Sequence, residues 1–195
     1  FGGRKINPDD EPKYLNSAES MVFDKSRTLY GLHLATPGIK RENRAVVVEG
    51  YTDVIACHQA GIDSAVATLG TSLTAGHARV LRRLCDTVVL LFDGDEAGQR
   101  AADRAVSVFL AENLDVRIAT LAGATDAKDP DELLKLDGGV AVLLGVLDDA
   151  VDLLRFKFSR VAARVRRAGP AERLRIVQEE LRLFADAGFS KVPPM

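Results

Sequence analysis

Cysteine is scarce and long apolar runs are missing. The two cysteines, Cys57 and Cys85, stand apart and lack the spacing of metal ligands. No zinc site is therefore expected, and both read as buried core thiols of a cytosolic protein. No apolar stretch approaches 18 residues and no charged-then-apolar signal opens the chain, which argues against a membrane span or a secreted product. The lysine-bearing glycine loop of a Walker A site is absent too. The first residue is Phe1, and "FGGRKINPDD" reads as the continuation of a longer polypeptide. What is present is ordinary globular composition, 47% hydrophobic and 28% charged over 195 residues, enough for one good core or one domain with an appendage.

A net charge of −2 conceals an uneven distribution. Residues 1–44 carry 8 basic and 6 acidic side chains, residues 45–139 carry 8 and 15, and residues 140–195 carry 10 and 7. An acidic centre between basic flanks suits a metal site beside a phosphate-bearing partner. Solvated surface charge would give the same totals.

The opening 20 residues are polar and read as extended chain or loop. A helix is expected from about Lys25 to Ala35, ended by "TPG". The short branched run "AVVVE" (Ala45 to Glu49) predicts a buried strand, followed by Gly50 and a helix "TDVIACHQAG" closed at Gly61. "SAVAT" predicts the next strand, "LGTSLT" a loop, and Thr74 an N-cap for "AGHARVLRRLC". Val88 to Phe92 and "DVRIATL" supply two more strands, with an alanine-rich helix from Glu96 between them. "DPDELLKL" opens a short helix with Pro130 near its first position. This βαβαβαβ order implies an α/β fold with a parallel sheet flanked by helices. After Gly139 only helical periodicity remains. "VLDDAVDLLRFKFSRVAARVRRAG" and "PAERLRIVQEELRLFADAG", separated by Gly169-Pro170, read as a helical hairpin. Arg164, Arg166 and Arg167 are assigned to a solvated face, and His33, His58 and His77 to structural or surface roles. Three parts follow: 1–44, 45–139 and 140–195.

Three of the expected strands run into acid. "VVLLFDGDEAGQRAADRA" places Asp93 and Asp95 after the third strand, two residues apart, so that an extended backbone points both carboxylates the same way. At about 4 Å and an effective dielectric near 20, such a pair repels by about 4 kcal/mol, which a divalent cation would relieve. A strand end followed by a helix cap would explain the pair as well. Glu49 follows the first strand, however, and Asp129 and Asp131 follow the fourth after a polar loop. In an open parallel sheet these positions share the carboxyl edge, and five carboxylates there make an oxygen-rich set suited to Mg²⁺. A haloacid-dehalogenase-type site would place Thr or Val after its Asp-x-Asp, on the chain's first strand. Here Glu96 follows, on the third. A phosphoacceptor receiver would need a lone Asp with later Thr and Lys partners.

"VVEGYTDVIACHQAGIDSAVATLGTSLT", "LLFDGDEAGQRAA" and "DPDELL" resemble the Toprim domain of bacterial replicative primases, the DnaG family. "FGGR", "PKYLNSAES" and "FDKSRTLYGL" resemble the lead-in of that family's RNA polymerase domain. The resemblance runs through about residues 1–137 in several separate motifs, and residues 140–195 fit only by position and helical content. It implies a DNA-dependent RNA polymerase, a nucleotidyltransferase that makes short RNA primers on single-stranded DNA from ribonucleoside triphosphates. Glu49, Asp93 and Asp95 match the family's catalytic acids. Those three with Asp129 and Asp131 match its metal-binding acids, for Mg²⁺ with Mn²⁺ as substitute. Arg4, Lys13, Tyr14, Asn16 and Lys25 match positions linked to nucleotide phosphates. Glu49 is left as either a ligand or a general base. The family's zinc-binding and helicase-binding regions are not seen, so a replicative helicase would be engaged through a region outside this sequence, and a cytoplasmic location at the replication fork is implied. Another Toprim enzyme, a topoisomerase or nuclease, is one alternative, although only Tyr14, Tyr30 and Tyr51 offer a nucleophile. A non-catalytic Toprim binding module is the other.

Overall fold

The run "RAVVV" forms a strand because branched side chains lose rotamer freedom in a helix and pack well on a pleated surface. In the computed structural model, which describes residues 2–7, 9, 11, 14–92, 108–109, 112 and 114–186, it is β3 (Arg44–Val48). Before it come β1 (Gly2–Arg4), β2 (Tyr14–Asn16) and α1 (Leu32–Glu42). After it come α2 (Tyr51–Gln59), β4 (Ala65–Ala67), α3 (Ala75–Arg82), β5 (Thr87–Phe92) and β6 (Asp115–Thr120). The chain continues with α4 (Pro130–Leu134), α5 (Gly139–Asp148), β7 (Val151–Asp152), α6 (Leu153–Arg167) and α7 (Pro170–Asp186).

The main sheet has the order β4-β3-β5-β6-β7. Its first four strands are mutually parallel, and β7 is an antiparallel edge strand on β6. Alternate residues of each strand feed two separate cores. Val47, Val66, Val88 and Leu90 pack with Ala35, Ile39 and Leu81 of α1 and α3. Val46, Val48, Val89 and Leu91 pack with Val54, Leu133, Leu143 and Leu147 of α2, α4 and α5. Burial on both faces explains why β3 and β5 read as continuous apolar runs rather than as alternating ones. The expected α/β fold, a largely parallel sheet flanked by helices, is what the chain adopts. Cys57 and Cys85 are free, buried thiols, one in each core.

Several element boundaries differ from the sequence expectation. The first helix is α1 at Leu32–Glu42, later than the expected 25–35, and it contains Pro37. Residues 29–31 cannot belong to it. Tyr30 exchanges backbone hydrogen bonds with Ala67 at the free edge of β4, and Gly31 then turns with φ 77°. Proline removes one helical hydrogen bond, yet Ala35 and Ile39, both wholly buried, hold α1 against the sheet on either side of it. The long helix expected from Val146 is broken by β7. Val151 pairs with Ile118, covering the edge of β6, and Asp152 then caps α6 by accepting the amides of Leu154 and Arg155. The expected hairpin is formed by α6 and α7. Lys157 pairs with Glu180 at 3.1 Å across it, both largely buried, and Arg164 reaches Glu180 at 3.6 Å while remaining half-exposed. The helix expected from Glu96 lies outside the described residues. No helix among the described residues is long and apolar enough to cross a membrane.

Because Pro37 is exposed on α1, Pro37→Ala should restore the missing amide and raise stability by about 1–3 kcal/mol. Urea unfolding measures this, and a loss of stability would show that the proline contributes more by restricting the unfolded chain.

Candidate active site

The connection leaving β3 runs to β4 on one side, whereas the connection leaving β5 runs to β6 on the other. The carboxyl ends of β3 and β5 therefore flank a topological switch point, the position at which open α/β sheets leave a crevice. A cavity of about 340 Å³ opens there, lined by Val48, Glu49, Gly70, Thr71, Leu91 and Phe92 among others. Glu49 is the residue immediately after β3 and is exposed at this edge. β5 ends at Phe92, and Asp93 and Asp95 lie outside the described residues.

The third acidic motif is brought to α2. Asp129 is the N-cap of α4, its Oδ1 accepting the Glu132 amide at 2.7 Å, and Pro130 occupies the first turn as expected. Asp131 accepts a hydrogen bond from Lys135 Nζ at 2.7 Å, one helical turn away. Between this helix and β3 stands a residue the sequence reading missed. Asp53 of α2 is buried and accepts the Gly50 amide at 2.9 Å and the Asp131 amide at 3.4 Å. Burial pushes its carboxyl above the usual carboxylate range, and the negative charges of Asp129 and Asp131 add to the shift. Asp53 thus ties the turn after Glu49 to the "DPD" turn 78 residues later. Its sequence signal was a third-position acid after Gly50, which by itself reads as an ordinary capping-box acid. Among the described residues no group of three or more Asp, Glu, His or Cys side chains converges as a ready metal site.

The lead-in motifs form a small ribbon. β1 and β2 are antiparallel, with Arg4 opposite Tyr14 and Gly2 opposite Asn16, so "GGR" and "YLN" become neighbours. The ribbon is seated on the sheet twice. A side chain at Gly2 would collide with the Tyr51 ring, and Asn16 Nδ2 donates to the Leu69 carbonyl at 3.0 Å. The latter places Asn16 beside Gly70 (φ 70°), in the loop that lines the Glu49 cavity. Lys25 is half-buried in a turn shaped by Asp24, whose Oδ1 accepts from the Ser26 amide and hydroxyl at 2.8 and 2.6 Å. Those bonds hold the Asp24 carboxyl below its usual range. Lys13 lies outside the described residues.

Switch-point crevice, strand-end acid and sheet order together define an open α/β protein with an acid at its crevice. A Toprim-like family model matches residues 46–134, and the model of the DNA primase catalytic core N-terminal domain matches residues 1–36. The DNA primase of Halalkalibacterium halodurans is 40% identical over 187 residues, which cover 95% of this chain and 30% of that protein. The Escherichia coli primase catalytic core matches with a TM-score of 0.80 and 39% identity, over 95% of this chain and 59% of that one. A DnaG primase catalytic domain solved bound to single-stranded DNA matches with a TM-score of 0.80 and 39% identity, over 95% of this chain and 58% of that one. Over 95% of its length the chain is thus similar to DNA primases in sequence and in fold. It spans about 30% of the length of the curated relative it matches.

One turn beyond Asp53, burial pushes the Cys57 thiol up to about 12, with the Asp53 charge adding to it, and burial likewise pushes Cys85 up to about 11. The thiolate is the reactive form, so neither cysteine should react with an aromatic disulfide reagent at pH 8 in the native chain, and both should react in denaturant. Rapid labelling of the native chain would contradict the packing of α2 and α3.

Proposed function

We propose that this chain is the acid-bearing part of the catalytic core of a DNA primase, a nucleotidyltransferase that builds short RNA primers on single-stranded DNA. The observation that carries the reading is the Asn16–Leu69 hydrogen bond, which seats the β1–β2 ribbon at the same strand-end edge as Glu49. Phosphate-binding and acid-bearing motifs far apart in sequence then serve one crevice. The DNA-bound relative supports a single-stranded template. Ribonucleoside triphosphates, the growing primer and a replicative helicase contacted through a region outside this chain complete the proposal, and the cytoplasmic replication fork is where it would work. The division 1–44, 45–139 and 140–195 is part of the same reading. α5 and β7 follow residue 139 and still pack on the sheet, so the last two parts share a core.

Phosphoryl transfer asks for positioning and charge neutralisation more than for covalent help from the protein. Arg4, Lys13 and Lys25 supply positive charge for the triphosphate, and Tyr14 and Asn16 supply polar contacts. The acids suit a hard divalent cation, since every donor is a carboxylate oxygen, and Asp129 and Asp131 stand near enough to Asp53 for their charges to add to the upward shift that burial causes there. Glu49, Asp93, Asp95, Asp129 and Asp131 would hold Mg²⁺ or Mn²⁺, which when bound lowers the pKa of the attacking hydroxyl and screens the phosphates. Glu49 serves either as one of these ligands or as the general base for that hydroxyl.

Asp93→Asn with Asp95→Asn should abolish ribonucleotide incorporation on single-stranded DNA in a polypeptide extended to the whole polymerase domain. Without metal its stability should match or slightly exceed the parent's, because like charges are removed. On addition of Mg²⁺ the parent should gain thermal stability by mass action and the variant much less. Parent-like primer synthesis with parent-like stabilisation would refute the assignment, and DNA relaxation or cleavage in place of incorporation would favour a topoisomerase or nuclease.

A further inference from the structure

His77 is completely buried, and its bonds tie the start of α3 to the loop that carries Lys25. It is the third residue of α3. Its amide donates to Thr74 Oγ1 at 3.2 Å, and its Nδ1 accepts the Thr74 amide at 3.2 Å. That fixes the tautomer: with Nδ1 accepting, Nε2 carries the proton and donates it to the Lys25 carbonyl at 2.9 Å. The same helix start grips the next peptide as well. Thr74 Oγ1 donates to the Ser26 carbonyl, and the missing side chain of Gly76 leaves room for that carbonyl, against which a Cβ would collide.

Ser26 and Arg27 are exposed, and the turn already closes on itself through amides 27 and 28 donating to the Asp24 carbonyl. What the grip adds is placement relative to the sheet. Gly70, Thr71, Ser72 and Leu73 line the cavity beside Glu49, and they lead directly into Thr74 and His77. Downstream, Tyr30 is bridged to Ala67 of β4. Lys25 is thus referenced to the acid-bearing edge from both sides. A flexible lysine contributes to an anion site in proportion to how little freedom remains to be lost on binding.

We propose that His77 is a positioning residue that holds the Lys25 main chain so that its ammonium meets the triphosphate of the incoming nucleotide. The proposal rests on the assignment of Lys25 to that triphosphate, and double-mutant calorimetry separates the two. ATP with Mn²⁺ is titrated into the parent chain, Lys25→Ala, His77→Leu, His77→Gln and the Lys25→Ala/His77→Leu double variant, each checked for folding by circular dichroism. Lys25→Ala should weaken binding about tenfold and His77→Leu about three- to tenfold. The double variant should be no weaker than Lys25→Ala alone, because His77 acts through that lysine. His77→Gln, which can accept from Thr74 and donate to Lys25, should recover most of the affinity, a rescue that mere core filling by leucine would not require. Should His77→Leu fail to fold, Thr74→Val keeps the shape, severs the Ser26 bond and should show the same non-additivity. Equal affinity in the parent and Lys25→Ala, or no binding by either, overturns the Lys25 assignment and this proposal with it. Full affinity in folded His77→Leu, or losses that add in the double variant while Lys25→Ala is weakened, overturns the proposal for His77 alone.

Discussion

Burial of β3 and β5 on both faces is the constraint from which the rest of the arrangement follows. Val46 and Val47 point to opposite sides of one strand, and both are shut away from water. Such a strand needs helices above and below, which crossover connections between parallel strands provide. Those crossovers make β3, β4, β5 and β6 parallel and send all their carboxyl ends to one edge. Polar residues that cannot sit inside either core are expelled there. Glu49, directly after Val48, is a consequence of where the apolar run of β3 stops. The order β4-β3-β5-β6 then opens the crevice between the ends of β3 and β5.

The sheet was legible because its signal is local and strong. A run such as "TVVLLF" has one economical use, and a branched strand between turn residues announces itself. Caps were legible for the same reason: Thr74 and Asp129 each bond to an amide three residues away, which spacing alone can express. What escaped the sequence was decided by distant partners. α1 extends through Pro37 because Ile39 and Ala35 meet a sheet built from residues further along the chain. β7 exists because β6 had an edge to cover, and nothing in "DDAVDLL" distinguishes that two-residue strand from a helix interior. In the site, the acids after the strands stood out as a set, yet the tie between Asp53 and Asp131 spans 78 residues and leaves no trace in local spacing. The ribbon of β1 and β2 was hidden likewise, since it needs the Tyr51 ring beneath Gly2 and the Leu69 carbonyl beside Asn16.

Carboxylates gathered at one edge should cost stability, and the fold offsets part of that cost by giving several of them structural work. Asp129 closes the first turn of α4, where the helix dipole favours negative charge. Asp131 faces Lys135, an exposed pair worth little in energy that still neutralises one charge. Asp53 receives two backbone amides and is raised toward its neutral form by burial. The choice between helix cap and metal ligand is therefore not exclusive. A carboxylate has two oxygens and about four lone-pair directions, so an acid that spends one on a backbone amide keeps others for a cation. Asp129 uses Oδ1 for the Glu132 amide, and its other oxygen is chemically competent to serve a metal from the same rotamer. Preorganisation follows: an acid locked by its capping bond has already lost the rotamer freedom that a ligand must lose. By the same logic the Lys25 and Ser26 carbonyls are held by His77 and Thr74, so Asp129 and Lys25 alike sit on backbone that the fold has ordered for reasons of its own.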